Sequence, residues 1–209
     1  IRTWLEQPSH ARDLDGWRVL ATLEQAAGLD VTATWAKILE LDPKDSRTQR
    51  SRILALEASG ERAQATTALN KLRRAKDRLA IGIELANQMI TSGDREQGLA
   101  LAEKLSADAG RSADAHMLLV DFFNLNEEPD LALAAARALV KIHPRNPEAR
   151  ILLGEQLMQM QREADAYKEW AKLPKLIRPA HRGWARHSEV LSTHNRSGSQ
   201  RSLKRALDL

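Results

Sequence analysis

The chain has no cysteine. A disulfide framework, a thiolate metal site and a cysteine nucleophile are therefore excluded. Aromatic residues make up only 4% of the sequence, and β-branched residues are also scarce, which argues against strands and for helices. Nothing approaches the run of about 18 apolar residues that crosses a bilayer. The longest apolar stretch, Leu131 to Val140, is interrupted by Arg137 and reads as one buried helix face. The motifs of common enzyme chemistry are missing too. There is no His-Glu-x-x-His, no Gly-x-Ser-x-Gly and no glycine-rich phosphate loop. His181, His187 and His194 are spaced by six and seven residues, so they do not make the i, i+4 pair that holds a metal on one helix. The expectation is a non-catalytic protein that needs no cofactor and no metal.

What is present is Ala, Leu, Arg, Glu and Lys, the strong helix formers, with a formal net charge of +4 over 209 residues. They recur with a fixed period of about 34 residues, the spacing of stacked supersecondary units. Pro147 is followed by Gly154, Ala166 and Trp170 at small-or-aromatic positions. One period earlier, from Ala113, the chain sets Leu119, Phe123, Ala132, Ala136, Leu139 and Pro144 in the same pattern. One period before that, from Leu79, stand Leu85, Ala86, Met89, Gly93, Gly98, Ala102 and Leu105. Two helices of about a dozen residues are each too short to be stable alone. Small residues must let their backbones approach, while Leu119, Phe123, Leu153 and Trp170 fill the space between.

Further units are visible at both ends: Trp17-x-x-Leu20-Ala21 opens one, Leu39 to Pro43 closes it, Gly60 and Ala65 mark a second, and Arg182-Gly183-Trp184 begins a last. The pattern W-x-x-L-G-x-x-Y, then A-x-x-x-F, then P, repeated at this period, resembles the tetratricopeptide repeat. That resemblance implies an all-α, right-handed superhelical solenoid of about six repeats. Its units would lie near 14–45, 46–78, 79–112, 113–146, 147–179 and 180–209, with 1–13 the remnant of a preceding helix or a cap. Pro174 and Pro179 should end the second helix of the fifth unit early. The opening on Ile1 rather than methionine fits a piece of a longer protein, and the composition has a bacterial look.

Proteins of this kind bind peptide or protein segments along the first helices of their units, in a concave groove. The resemblance places Ile83, Met117 and Ile151 at one groove position of three successive units. Asn87, Asp121 and Glu155 stand one helical turn further on, and Met158 adds an adaptable thioether. An apolar line beside a polar-to-acidic line is the expected partner site, and a scaffold organising a larger assembly is the expected function. Ala/Arg/Leu-rich arrays of this look resemble those of bacterial secretion and polysaccharide-export machines. The lysine and asparagine pattern that clamps a peptide's terminal carboxylate is absent. Basic residues gather at Lys71, Arg73, Arg74, Lys76 and Arg78, and again towards the C-terminus. An alternative reading is a polyanion binder, for RNA or acidic polysaccharide, using Arg178, Arg182 and Arg186. Most of the five tryptophans are expected to be packing, Trp17, Trp170 and Trp184 among them.

Overall fold

The computed structural model describes residues 1–209 and contains helices and no strands. After a single turn of helix, α1 (Arg2–Leu5), the chain runs through consecutive helical pairs. These are α2 and α3 (Leu14–Ala26, Thr32–Leu41), α4 and α5 (Ser46–Ala58, Arg62–Asn70), and α6 and α7 (Ala75–Thr91, Arg95–Asp108). They continue as α8 and α9 (Ala113–Leu125, Pro129–Ile142) and α10 and α11 (Pro147–Gln159, Glu163–Trp170), with the one-turn α12 (Leu173–Leu176) following. The last pair is α13 and α14 (Ala180–Leu191, Arg196–Leu207). Each helical pair is a hairpin of tetratricopeptide type. By internal packing the chain divides into two compact halves, Ile1–Leu105 and Ser106–Leu209.

Local chemistry sets the helix boundaries. Asp13, Asp45, Ser112, Asn146 and Asn195 each accept a backbone N–H two or three residues on, satisfying donors that the first turn leaves open. Pro129 and Pro147 occupy first-turn positions, where a missing N–H costs nothing. The turn inside each of the first five hairpins is equally regular. Gly28, Gly60 and Gly93 take φ of 67°, 82° and 100°, while Glu127 and Gln161 take 58° and 59° at the equivalent place. The next residue's N–H reaches back to close the helix: Asp94 to Met89, Glu128 to Phe123 and Arg162 to Leu157, at 2.8–2.9 Å. This is the left-handed cap that stops a helix and reverses the chain.

At the first hairpin of the N-terminal half one core cluster gathers Leu5, Trp17, Leu20, Ala21, Val31, Trp35 and Ile38. Charged groups are buried with it. Glu24 accepts from Arg2 at 2.7 Å and from the Thr34 hydroxyl at 2.6 Å. Asp45 accepts from Arg18 at 3.0 Å, and Glu57 from Arg62 at 2.8 Å. Successive hairpins are also tied directly: the Gln88 side chain donates to the Leu54 carbonyl, one period away, at 3.0 Å, and Arg50 pairs with Glu84.

The C-terminal half is packed differently. Its core holds Phe122 and Phe123, edge-on at 5.4 Å, and Trp170, fully buried. The Trp170 indole N–H donates to the Ile151 carbonyl at 3.2 Å, and the ring lies directly over Gly154. A methyl group at residue 154 would collide with it, so glycine is required there by contact. The second helix of this hairpin ends at Trp170, before Pro174, as the prolines lead one to expect. Trp17 (5% exposed) is core as well. Trp184, in contrast, is only half-buried, because the guanidinium of Arg205 covers its ring at 4.6 Å instead of other hydrophobic groups.

Candidate functional site

The residues expected to bind a partner sit on the first helices of three hairpins, and the structure sorts them by depth. Ile83 on α6 and Ile151 on α10 are each 5% exposed, whereas Met117 on α8 is 39% exposed. The expected apolar line is thus open to a partner at Met117 only. Ile83 and Ile151 are both core residues, and the Ile151 carbonyl also receives the Trp170 indole. The polar line lies nearer the surface: Asn87 is half-buried, Asp121 and Glu155 are exposed, and Met158 is half-buried. Asn87 belongs to the N-terminal half, and Asp121 and Glu155 to the C-terminal one.

Within the C-terminal half a recess of about 210 Å³ opens between α10 and α13. Ile151 and Glu155 line it from α10, Trp170 from the end of α11, and Arg186, Glu189 and Val190 from α13, with Thr193 and His194 just beyond. The His194 ring stacks on Trp170 with centroids 5.6 Å apart, and the Tyr167 hydroxyl donates to its carbonyl at 3.3 Å. Glu189 stands one period after Glu155 and holds the same repeat position. Carrying the series Asn87, Asp121, Glu155 one step further would have found it; His194 and Thr193 carry no such signal.

Electrostatically the recess is unbalanced. Arg186 is its one guanidinium, and it is already committed to Glu148 at 3.1 Å and to Glu189 at 2.8 Å. Those contacts raise its pKa further, the bond to Glu189 foremost. Glu155 has no direct ion pair. Burial against its neighbours pushes its carboxyl above the ordinary glutamate value, and the charge of Glu148 adds to the rise. Arg186 and His194 pull the other way without cancelling it. A carboxylate at the mouth of a recess with no cation in contact is a site for a donor from outside: an ammonium, a guanidinium or a backbone N–H.

Of the groups suggested for polyanion binding, Arg182 and Arg186 stand one helical turn apart on α13 and Arg178 precedes that helix. Arg186 is the one of the three that faces carboxylates, Glu148 and Glu189. Of the histidines, His187 accepts or donates a bond with the Ser202 hydroxyl at 3.0 Å. Burial, together with the charge of Arg205, holds its pKa below the usual value. No group of three metal-ligating side chains occurs, and no helix is long and apolar enough to cross a membrane.

No protein-family model matches the chain, and no curated protein matches it. Among solved structures it is similar to MamA from Desulfovibrio magneticus RS-1, at 17% identity and a TM-score of 0.42, covering 78% of this chain and 94% of that one. It is also similar to YrrB, described as a TPR protein with an unusual peptide-binding site, at 16% identity and a TM-score of 0.43, with 83% and 91% covered. A third is a putative kinesin light chain of Podospora anserina with nearly identical TPR-like repeats, at 16% identity and a TM-score of 0.48, with 79% and 94% covered. What those proteins bind belongs to them.

Proposed function

We propose that the chain is a non-catalytic scaffold that binds a protein or peptide segment on the first helices of its hairpins. Glu155 carries the reading: it is an unpaired carboxylate in a recess whose only guanidinium is already paired with Glu148 and Glu189. In the C-terminal half, Met117 and Asp121 on α8 and Ile151, Glu155 and Met158 on α10 contribute to the same interaction. Ile83 and Asn87 hold the corresponding positions on α6. The partner offers a lysine or arginine to Glu155 and Asp121, and apolar side chains to Met117 and Met158. Burying such a side chain is worth about 1.5–3 kcal/mol, and the acidic groups mainly set orientation and on-rate. Ile151 shapes the recess from behind. The role in an organism is to organise a larger assembly, of which bacterial secretion and polysaccharide-export machines are the kind its composition resembles. The polyanion reading has less support, because Arg186, the centre of its cationic set, is neutralised by Glu148 and Glu189.

A peptide-display selection on the immobilised chain tests this. Enriched sequences should carry Lys or Arg flanked by Leu, Ile or Met. The double variant Asp121→Lys/Glu155→Lys should weaken their binding by about tenfold or more, since like charges now face each other. Binding should also fade on acidification. The raised pKa of Glu155 means that it loses its charge at a higher pH than an ordinary glutamate. Glu155→Gln should remove that part of the pH dependence. Selected peptides that bind the double lysine variant as well as the parent chain would overturn the proposal.

A further inference from the structure

A larger recess, about 720 Å³, lies in the N-terminal half and is unlike the Glu155 site in character. Two turns and the helices beside them form it. Asp42, Pro43 and Lys44 come from the α3–α4 turn, Gln49 from α4, Lys71 to Arg74 from the α5–α6 turn, and Asp77 from α6. Its volume is in the range that accommodates a ligand group. Both turns are pinned by side chains. Gln49 donates to the Pro43 carbonyl at 2.6 Å, Arg78 donates to the Leu72 carbonyl at 3.2 Å, and the Leu72 side chain is itself buried. The charges that the turns carry are therefore presented from fixed backbone.

Four cations and two carboxylates line the recess, and the carboxylates are already engaged. Asp42 lies 3.7 Å from Arg18 and accepts the backbone N–H of Lys44 at 3.0 Å. Asp77 faces Arg74 at 4.0 Å. Lys44, Lys71 and Arg73 have no carboxylate within ion-pair reach. Elsewhere in the same half Arg2, Arg18, Arg50 and Arg62 each meet at least one acid, whereas here three unpaired cations line one cavity. Three like charges gathered around one cavity repel one another, and an anion entering the cavity relieves that repulsion.

We infer that this recess binds an acidic protein segment, its Asp or Glu side chains meeting Lys44, Lys71 and Arg73 while its backbone and aliphatic parts lie along Pro43. A nucleic acid fits less well. No aromatic side chain lines the cavity for a base to stack on. The carboxylates of Asp42 and Asp77 also interrupt the cationic wall, which an unbroken chain of phosphates cannot avoid. Separate acidic side chains can be spaced to miss them. The inference is independent of the Glu155 site, which asks for a partner of the opposite charge.

The test is a fluorescence-anisotropy titration with a short fluorescein-labelled peptide of Glu, Asp, Leu and Gly. Its Gln/Asn counterpart and a uridine oligoribonucleotide of equal charge serve as comparisons, each at low and at physiological ionic strength. The acidic peptide should bind, more tightly at low salt, and the neutral peptide should not. Lys44→Glu/Lys71→Glu/Arg73→Glu should weaken it by more than about tenfold. Arg196→Glu/Arg201→Glu/Lys204→Glu, an equal change of net charge on exposed α14 positions, should leave it nearly unchanged. A thermal melt checks that the variants fold, and the neutral Lys44→Gln/Lys71→Gln/Arg73→Gln form repeats the comparison without added repulsion. The inference is overturned by no binding at low salt, or by equal loss in the recess and α14 variants. It is overturned equally if the oligoribonucleotide binds more tightly than the peptide and is lost with the recess variant.

Discussion

The two halves of the molecule reach the same hairpin geometry by different bonds. In Ile1–Leu105 the buried polar groups include carboxylates, Glu24, Asp45 and Glu57, each reached by an arginine. In Ser106–Leu209 they are the uncharged Asn126, Gln156, Ser188 and Ser202 together with His116, and large rings fill the core. The turns differ as well, with glycine in the left-handed position on one side and Glu127 and Gln161 on the other. A repeat of this type therefore requires small residues where backbones meet and a left-handed cap where they turn. It leaves open how the remaining contacts are made. A directional ion pair or a ring in a gap will each serve, and the two carry different costs when disturbed.

Removing one contact of each kind tests the difference. The largest effect belongs to the ring: Trp170→Ala empties a fully buried site over Gly154 and should destabilise the C-terminal half by about 3–5 kcal/mol in urea unfolding. A loss well under that range would mean that the indole is not the keystone of this half. Glu24→Ala comes next. It leaves the buried Thr34 hydroxyl without its acceptor and should cost about 1–3 kcal/mol. An unchanged unfolding midpoint would show that the buried ionic bonds of the N-terminal half are replaceable by water. The smallest pair of effects has opposite signs. Gly93→Ala forces a side chain into the left-handed region and should cost about 1 kcal/mol, while Glu127→Gly relieves the same strain and should gain somewhat less than about 1 kcal/mol. Equal signs for the two would break the claim that these turns are equivalent.

Much of this architecture is legible in the sequence because the period acts on residue size. Ala86, Ala102, Ala132, Ala136 and Ala166 are all fully buried, and their recurrence points to helices packed in pairs. The period identifies equivalent positions, but it does not say how deep each one lies. Ile83, Met117 and Ile151 share a repeat position, yet only the methionine is exposed. Depth depends on neighbours in the adjacent hairpin and within the same one, such as the Trp170 indole that meets the Ile151 carbonyl. The acidic positions Asp121 and Glu155 are readable as surface groups because charged residues resist burial. That Arg186 is taken by Glu148, on the first helix of the preceding hairpin, is not. The cationic recess is hidden for the same reason. Lys44 and Lys71 belong to different turns, and nothing in their local sequence says that the two converge on one cavity.

The link between Leu54 and Gln88, like that between Arg50 and Glu84, joins residues one period apart. Such a bond is indifferent to how many hairpins precede or follow it; it depends only on the register between immediate neighbours. A gene segment coding for one whole period can therefore be duplicated or lost with the joints on either side re-forming. An insertion of one or two codons inside a helix, by contrast, rotates every later side chain of that helix off its partner. An array stitched in this way grows and shrinks in whole steps, and its length can be altered in evolution without redesigning a core.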